Sequence, residues 1–456
     1  MRPSGSSLLP LLLLAACPSN SQPAADASPA ETPPAKPSAP ETPSTPTAPS
    51  TPPTTPPDAM NEDTPETPAE APPRAEPDVV GEVATGFNAF GVDLYRKVAA
   101  EPGDIVISPA SVALALTMTH AGARGETAKE METALHFPRA APVVQSAVAT
   151  MLGDWNAPRE DVELSVANRL FGDGTVPYEA PFLALTKRFF DAPLEPVDFK
   201  GAHEAARLRI NGWVEDETHD RIQNLLPEGA VDSSTRLVLV NAIYFKAAWM
   251  SPFTDFLTAP APFHAAGGDH DVPTMHVTEH FSFAEAEGVQ VVQLPYVDPR
   301  FAMTVVIPTA TDGLAAVEAS LSAETVDGWV GALAGERLSL SMPKFRIAPG
   351  EALRLREILG ELGIVKAFGD DADLTGIAPA SEQLQLSEAF HKGFIEVDEK
   401  GTEAAAATAI AARAGSAAPV DEPREVKVDR PFLYLIRDTR SGLLLFMGRV
   451  TDPKTE

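Results

Sequence analysis

Proline placement divides this chain before any other feature does. Of its 45 prolines, 21 fall in the first 80 residues, and residues 18–80 alone carry 19 of them. Between Pro18 and Asp78 the chain is Pro, Thr, Ala, Ser and Glu, with Met60 as its one large apolar side chain. Such a segment cannot bury enough surface to offset the entropy of ordering it. Fixed proline φ angles keep it extended, at about 3.1 Å per residue, so it reaches on the order of 150–200 Å. Residues 18–80 are therefore read as a disordered tether, either a bare spacer or one glycosylated on its threonines. Apolar periodicity begins after Val79, which sets the folded body at 81–456. That body holds 54 acids and 32 bases, a net of 32 − 54 = −22. It lacks the cationic footprint that phosphates require, which excludes nucleic acid as a partner and anionic lipid as a docking surface.

The single cysteine, Cys17, excludes intrachain disulfides and cysteine-based zinc clusters. Its neighbourhood explains it. Arg2 opens a short basic region, Leu8 to Leu14 is an apolar run broken by Pro10, and Ala15-Ala16 precede the cysteine. The run is too short to span a bilayer and reads as a secretory signal over residues 1–17. Leu14-Ala15-Ala16-Cys17 resembles the lipobox of bacterial lipoproteins, in which the cysteine is lipidated and becomes the new N-terminus. The resemblance implies an exported protein, lipid-anchored to the bacterial cell envelope, at the outer membrane, or extracellular. Acyl chains would supply the membrane anchor, with no spanning helix. An ordinary signal peptide with an incidental cysteine is the alternative.

Within the body, helical and strand-like patterns interleave without repeats. Helical spacing is read over Thr85–Val98, Ser111–Ala121, Arg124–Leu135 and Ala205–Leu225, the last with Ile210, Trp213, Val214 and Ile222 on one side. Strand-like runs are Leu164–Phe171, Leu237–Phe245, Val289–Pro295, Phe301–Ile307, Leu338–Ile347, Phe432–Arg437 and Leu443–Val450. Long β-runs remote in sequence predict an α+β body with large mixed or antiparallel sheets. His264, His270, His276 and His280 are the one histidine cluster, and their spacing suits no shared helical ligand face. No metal and no cofactor is expected.

The stretch Ala389–Phe432 reads as strand, unusual loop, strand. Phe394–Val397 has β-character and ends at Asp398-Glu399-Lys400-Gly401; then follow Thr402, Glu403, Ala404, Ala405, Ala406, Ala407 and Thr408. Intrinsic propensity argues for helix here, yet no apolar stripe exists to dock one, and an isolated helix this short is marginal in water. Read with period two, one face carries Thr402, Ala404, Ala406, Thr408, Ile410 and Ala412, all uncharged. The other carries both charges, Glu403 and Arg413. That parity suits a loop able to become a strand with one buried face. A flexible alanine linker is the competing reading of these residues alone.

Glu399-Lys400-Gly401-Thr402-Glu403 followed by four alanines and a threonine resembles the hinge of an inhibitory serpin's reactive-centre loop. Other stretches match serpin landmarks in order, across nearly all of 81–456. They are Ser108-Pro109 with Ser111, Asn168-Arg169-Leu170-Phe171, Asn241 to Trp249, Pro343-Lys344-Phe345, Asp373-Leu374-Thr375 and His391-Lys392. Asp429-Arg430-Pro431-Phe432 and Leu445 to Val450 complete the series. The resemblance implies a serpin fold of three β-sheets with about eight or nine helices and an exposed reactive-centre loop. It implies a protease inhibitor rather than an enzyme, monomeric, whose partner is a serine protease held as a covalent complex. The protease would attack the loop and form an acyl-enzyme, and the freed hinge would then insert into the main sheet as an added strand.

In this reading Gly401 lets the backbone pivot, Thr402 is the first inward residue, and Ala404 to Ala407 fill the slot without bulk. Ser108, Ser111, Asn241 and His391 would form a polar cluster where strands part, with Trp249 near the point of entry. Counting from Gly401 places the reactive bond at Gly415-Ser416, with Ala414-Gly415 as its neighbour. Arg413-Ala414 is the alternative that suits a trypsin-like pocket. Small flanking residues suit an elastase- or subtilisin-like enzyme. A non-inhibitory serpin and a secreted hydrolase are the rival classes; Gly415-Ser416 lacks the Gly-x-Ser-x-Gly turn that the second would need.

Overall fold

The computed structural model describes residues 71–159, 162–403 and 422–455. Its first helix is Pro77–Val98, with Pro77 at the opening position, Asp78 in the first turn, and Arg96 and Lys97 in the last. Each of those placements favours a helix end of the matching polarity. Val80, Val83, Phe87, Phe90 and Leu94 bury one stripe of it. The body therefore begins before residue 81, because Pro77, counted with the tether, is a helix-start signal. Arg74 Nη2 lies 2.7 Å from Asp154 Oδ1, and the Ala75 N–H donates to Thr150 Oγ1 at 2.8 Å. Residues 1–70, Cys17 among them, lie outside the described residues.

The architecture is α+β, the serpin fold expected, with three sheets and, among the described residues, nine α-helices. No described helix is long and apolar enough to cross a membrane. The nine-stranded sheet has Phe432–Asp438 third from one end, paired on one edge with Leu444–Val450 and on the other with Phe301–Pro308. Every residue of these three strands is buried. At its far end Arg424–Lys427 runs parallel to Ala334–Pro343. A two-stranded sheet joins Leu353–Arg354 to Phe390–His391.

The six-stranded sheet carries the hinge. Its order is Phe345–Ile347, Ile395–Val397, Gly401–Thr402, Leu237–Ala248, Val162–Asp173, Leu194–Val197. Leu237–Ala248 pairs antiparallel with Val162–Asp173 over eleven registered positions. On its other side it is registered only with Gly401 and Thr402. Among the described residues it is not paired with Ile395–Val397 directly, so a seam runs between those two strands.

Two expected elements differ, and one strand is unexpected. The helix read over Ala205–Leu225 is Phe199–Glu217. Thr218 ends it by bonding backbone at both sides: its Oγ1 donates to the Val214 carbonyl and accepts from the Ile222 N–H. His219, Asp220 and Asn224 then take left-handed φ of 48°, 61° and 52°. Ile222 and Leu225 stay buried beside Ile210 and Trp213, so the apolar spacing reported burial and not helix. The run Leu338–Ile347 is two strands in different sheets, Ala334–Pro343 and Phe345–Ile347, divided at Lys344. The 19-residue strand Gly268–Ala286 was absent from the expected set, because Asp269, His270, Asp271, Glu279 and His280 obscure its alternation.

Candidate functional site

The hinge begins with a turn built by one carboxylate. Asp398 Oδ1 accepts from the N–H groups of Lys400 (2.8 Å) and Gly401 (3.1 Å), the local geometry an Asp side chain favours at turns. The turn returns the chain alongside the strand it left, pairing Val397 with Thr402. The result is a two-residue strand, Gly401–Thr402, wedged into the top of the seam against Ala248 and Ala247.

Gly401 is needed for closeness, not for the pivot expected of it. Its φ is not left-handed. A Cβ at Gly401 would strike the Ala247 carbonyl oxygen and the backbone of Ala248, and only glycine allows that approach. The pivot sits two residues on, at Glu403, whose φ is 52°.

Around this wedge the structure gathers residues from distant segments. Trp249 donates its backbone N–H to the Lys400 carbonyl (2.8 Å) and its indole N–H to the Asp398 carbonyl (3.0 Å). Its ring stacks on Tyr296, centroids 4.6 Å apart. The Tyr296 hydroxyl lies 2.7 Å from Thr402 Oγ1, with Thr402 only 2% exposed. Tyr296 carried no signal in the sequence: it sits at the end of an apolar run among core residues. Glu399 accepts from Thr258 Oγ1 (2.7 Å) and pairs with Lys344 Nζ (2.8 Å). Burial alone would raise its carboxyl, but the lysine and the hydroxyl outweigh it and hold Glu399 below its ordinary value.

Thr402 points inward as expected, but Glu403 does not face water. Its side chain is 2% exposed, with Arg221 Nε 2.6 Å from Oε1. The sequence parity placed Glu403 on a solvated face; the turn that follows helix Phe199–Glu217 covers that face instead.

Lower in the seam, the four residues expected to form a polar cluster fall into two bonded groups. Ser108 caps helix Pro109–Gly122 by accepting the Ser111 N–H (3.1 Å), and its hydroxyl donates to the Leu445 carbonyl (2.6 Å). His391 Nε2 accepts the Ser108 N–H at 3.0 Å. Burial pushes His391 down to about 4, keeping it neutral as that acceptor role demands. Asn241 belongs to the other group: its Nδ2 donates to Asn168 Oδ1 at 2.6 Å, and its own Oδ1 is buried without a partner. Both groups line one cavity of about 110 Å³, walled by Ser111, Asn241 and His391 with Leu225, Leu239 and Phe390. Asn168 was noticed in sequence only as a landmark, not as a member of this cluster. Ala404, Ala405, Ala406, Ala407 and Thr408 of the hinge, and the reactive-bond residues Arg413, Ala414, Gly415 and Ser416, lie outside the described residues.

The hinge is thus seated between two strands, above a cavity lined by polar groups on either side. Comparisons with known proteins agree with the architecture. The family model for "Serpin (serine protease inhibitor)" matches residues 85–453. The leukocyte elastase inhibitor of Sus scrofa is 37% identical over 375 residues, covering 80% of this chain and 97% of its own. An uncharacterized serpin-like protein of Thermococcus kodakarensis is 35% identical over 373 residues, covering 82% of this chain and 86% of that protein. Among solved structures, Serpin48 of the insect Tenebrio molitor superposes with a TM-score of 0.72 at 32% identity, covering 82% of this chain and 98% of that one. With a family model spanning most of its length and relatives above 30% identity along nearly their whole chains, this protein belongs to the serpin family.

Proposed function

We propose that this chain inhibits serine proteases as a suicide substrate. A protease cleaves the loop between residues 403 and 422, becomes acylated, and is trapped when the hinge inserts into the six-stranded sheet. The observation that carries this reading is Thr402, small and uncharged, buried in the seam as the first inward residue of the short strand Gly401–Thr402. Continuing that strand would add ladder hydrogen bonds along Leu237–Ala248, whose edge beyond Ala247 has no other registered partner among the described residues. About fifteen inserted residues would carry the cleaved end on the order of 50 Å.

The reactive bond in this reading is Gly415-Ser416 or Ala414-Gly415, with Arg413-Ala414 as the alternative, and the target an elastase- or subtilisin-like enzyme or a trypsin-like one. Cys17 carries the lipid, residues 18–70 act as tether, and the inhibitor works as a monomer at the bacterial cell envelope. Incubating the full chain separately with trypsin, pancreatic elastase and subtilisin tests this. The expected result is a band at the summed mass that survives boiling in detergent. The N-terminus of the released peptide (Ala414, Gly415 or Ser416) identifies the bond. Loop cleavage by all three without such a band would reduce the reading to a serpin of non-inhibitory type.

A further inference from the structure

Inserting the hinge removes two side chains from water, and the second is a carboxylate. Arg221 reaches it only because helix Phe199–Glu217 stops short: the left-handed residues His219 and Asp220 turn the chain back toward the seam. There the guanidinium lies over the Phe394 ring, 5.2 Å from its centroid, with Nε 2.6 Å from Glu403 Oε1. The Arg221 side chain keeps 43% of its surface, so the two partners are unequally buried. Besides the arginine, the Tyr244 hydroxyl is directed at the Glu403 carboxylate, and its hydrogen bond favours the charged form. The contact with Arg221 is a charge pair, and it adds to the Tyr244 hydrogen bond in holding the buried carboxylate. Tyr244 and Lys246 face it from Leu237–Ala248, and Glu396 from Ile395–Val397. His219 packs on Tyr244 and bonds Glu163 of Val162–Asp173. Glu396 opposes the charge, which leaves Arg221 the one cation in contact.

We infer that Arg221 is a positioning residue for hinge insertion: it is the counter-charge the seam holds ready for Glu403, and without it the hinge does not stay docked. The inference deepens the inhibitory reading and rests on it for the consequence to protease trapping, whereas docking itself is measurable with no protease present. Burial holds the Glu403 carboxyl above its ordinary value despite the Tyr244 hydroxyl and the arginine. An acid raised in the docked state is favoured there when protonated. Docking therefore strengthens as pH falls, and the need for Arg221 falls with it.

Hydrogen exchange with mass spectrometry on the intact full chain tests this at pH 7.5, in wild type, Arg221→Gln, Glu403→Gln and the double variant. The readout is the peptide spanning residues 398–403, where the Glu403 N–H donates to the Glu396 carbonyl at 3.1 Å. Peptides from 432–450 report whether the fold is intact. The expected result is exchange about tenfold or more faster in Arg221→Gln and no faster than wild type in Glu403→Gln. The double variant should return to the Glu403→Gln rate, because no charge remains to be neutralised. The Arg221→Gln excess should also shrink at pH 5.5, after correction for intrinsic exchange. Wild-type exchange in Arg221→Gln would overturn the inference. So would a double variant as fast as the single, which would assign Arg221 a packing role on Phe394. In the protease assay Arg221→Gln should shift product from covalent complex to free cleaved chain. Absence of any complex from wild type would refute the inhibitory reading and leave the exchange result standing.

Discussion

Replacing Thr402 by arginine places a full charge where the seam is driest. The position is 2% exposed, its hydroxyl is paired with a buried tyrosine, and the facing backbone belongs to Ala247, itself buried. Taking a guanidinium into such a site costs several kcal/mol after relaxation. Loss of the Thr402–Tyr296 hydrogen bond adds about 1 kcal/mol. The neighbouring carboxylates offer no rescue, since Glu399 is engaged by Lys344 and Thr258, and Glu403 by Arg221. A total of about 5 kcal/mol is a factor of roughly 10³–10⁴ in hinge docking. If the transition state for insertion feels half of that, insertion slows about 70-fold. Hydrolysis of the acyl-enzyme then overtakes it. The assay titrates protease with inhibitor and weighs boiled-stable complex against free cleaved chain. Thr402→Arg should yield almost only cleaved chain, while Thr402→Ser, which keeps the hydroxyl, should behave as wild type. Wild-type yields of complex from Thr402→Arg would refute insertion through this seam.

Other expectations follow from the same geometry. Gly401→Ala would press a methyl against the backbone of Ala247 and Ala248; overpacking of this kind costs about 1–3 kcal/mol, and faster hydrogen exchange at residues 398–403 with little change elsewhere would reveal it. His391 titrates near 4 when folded against 6.5 when free. Its depressed value makes the fold lose stability as pH falls from 6.5 to about 4, by about 3 kcal/mol in all at 1.36 kcal/mol per unit. Urea midpoints measured from pH 7 to 4 should show that slope in wild type and a shallower one in His391→Gln. The pair Lys344–Glu399, partly buried at 2.8 Å, should give a coupling energy of about 1 kcal/mol in a double-mutant cycle of Lys344→Ala and Glu399→Ala; additive effects would remove it from the account of the hinge turn.

Fold class was legible because it rests on local patterns. The run Val289–Pro295 was bounded by its apolar residues alone, and its strand has the same ends. Of the small residues read from Thr402 onward as able to enter a sheet, Thr402 is described, and it is buried. Long-range closure was not legible. Nothing in the neighbourhood of Tyr296 distinguishes it from a core tyrosine until Trp249 and Thr402 are brought against it. Arg221 was hidden by a periodicity that continued past the true helix end, since Ile222 and Leu225 are buried by the turn and not by a helix. The parity argument for Glu403 failed for a related reason: alternation says which side of a strand a residue takes, not what later covers that side.

The place of Phe432–Asp438 in the nine-stranded sheet has a bearing on what a severed chain would become. Cut at the proposed bond, the polypeptide is two molecules in covalent terms, yet the shorter one stays paired to the longer through Phe432–Asp438 on Phe301–Pro308, Leu444–Val450 on Ile105–Ile107 and Arg424–Lys427 on Ala334–Pro343. Its release would require dismantling the nine-stranded sheet, so the nicked form would persist as one particle. In the proposed reaction the attacking serine would esterify the carbonyl on the longer piece, which is also the piece that runs back through Pro77 to Cys17. A captured enzyme would thus be leashed to whatever surface holds that cysteine, and the inhibitor would remove its target from solution as well as from activity.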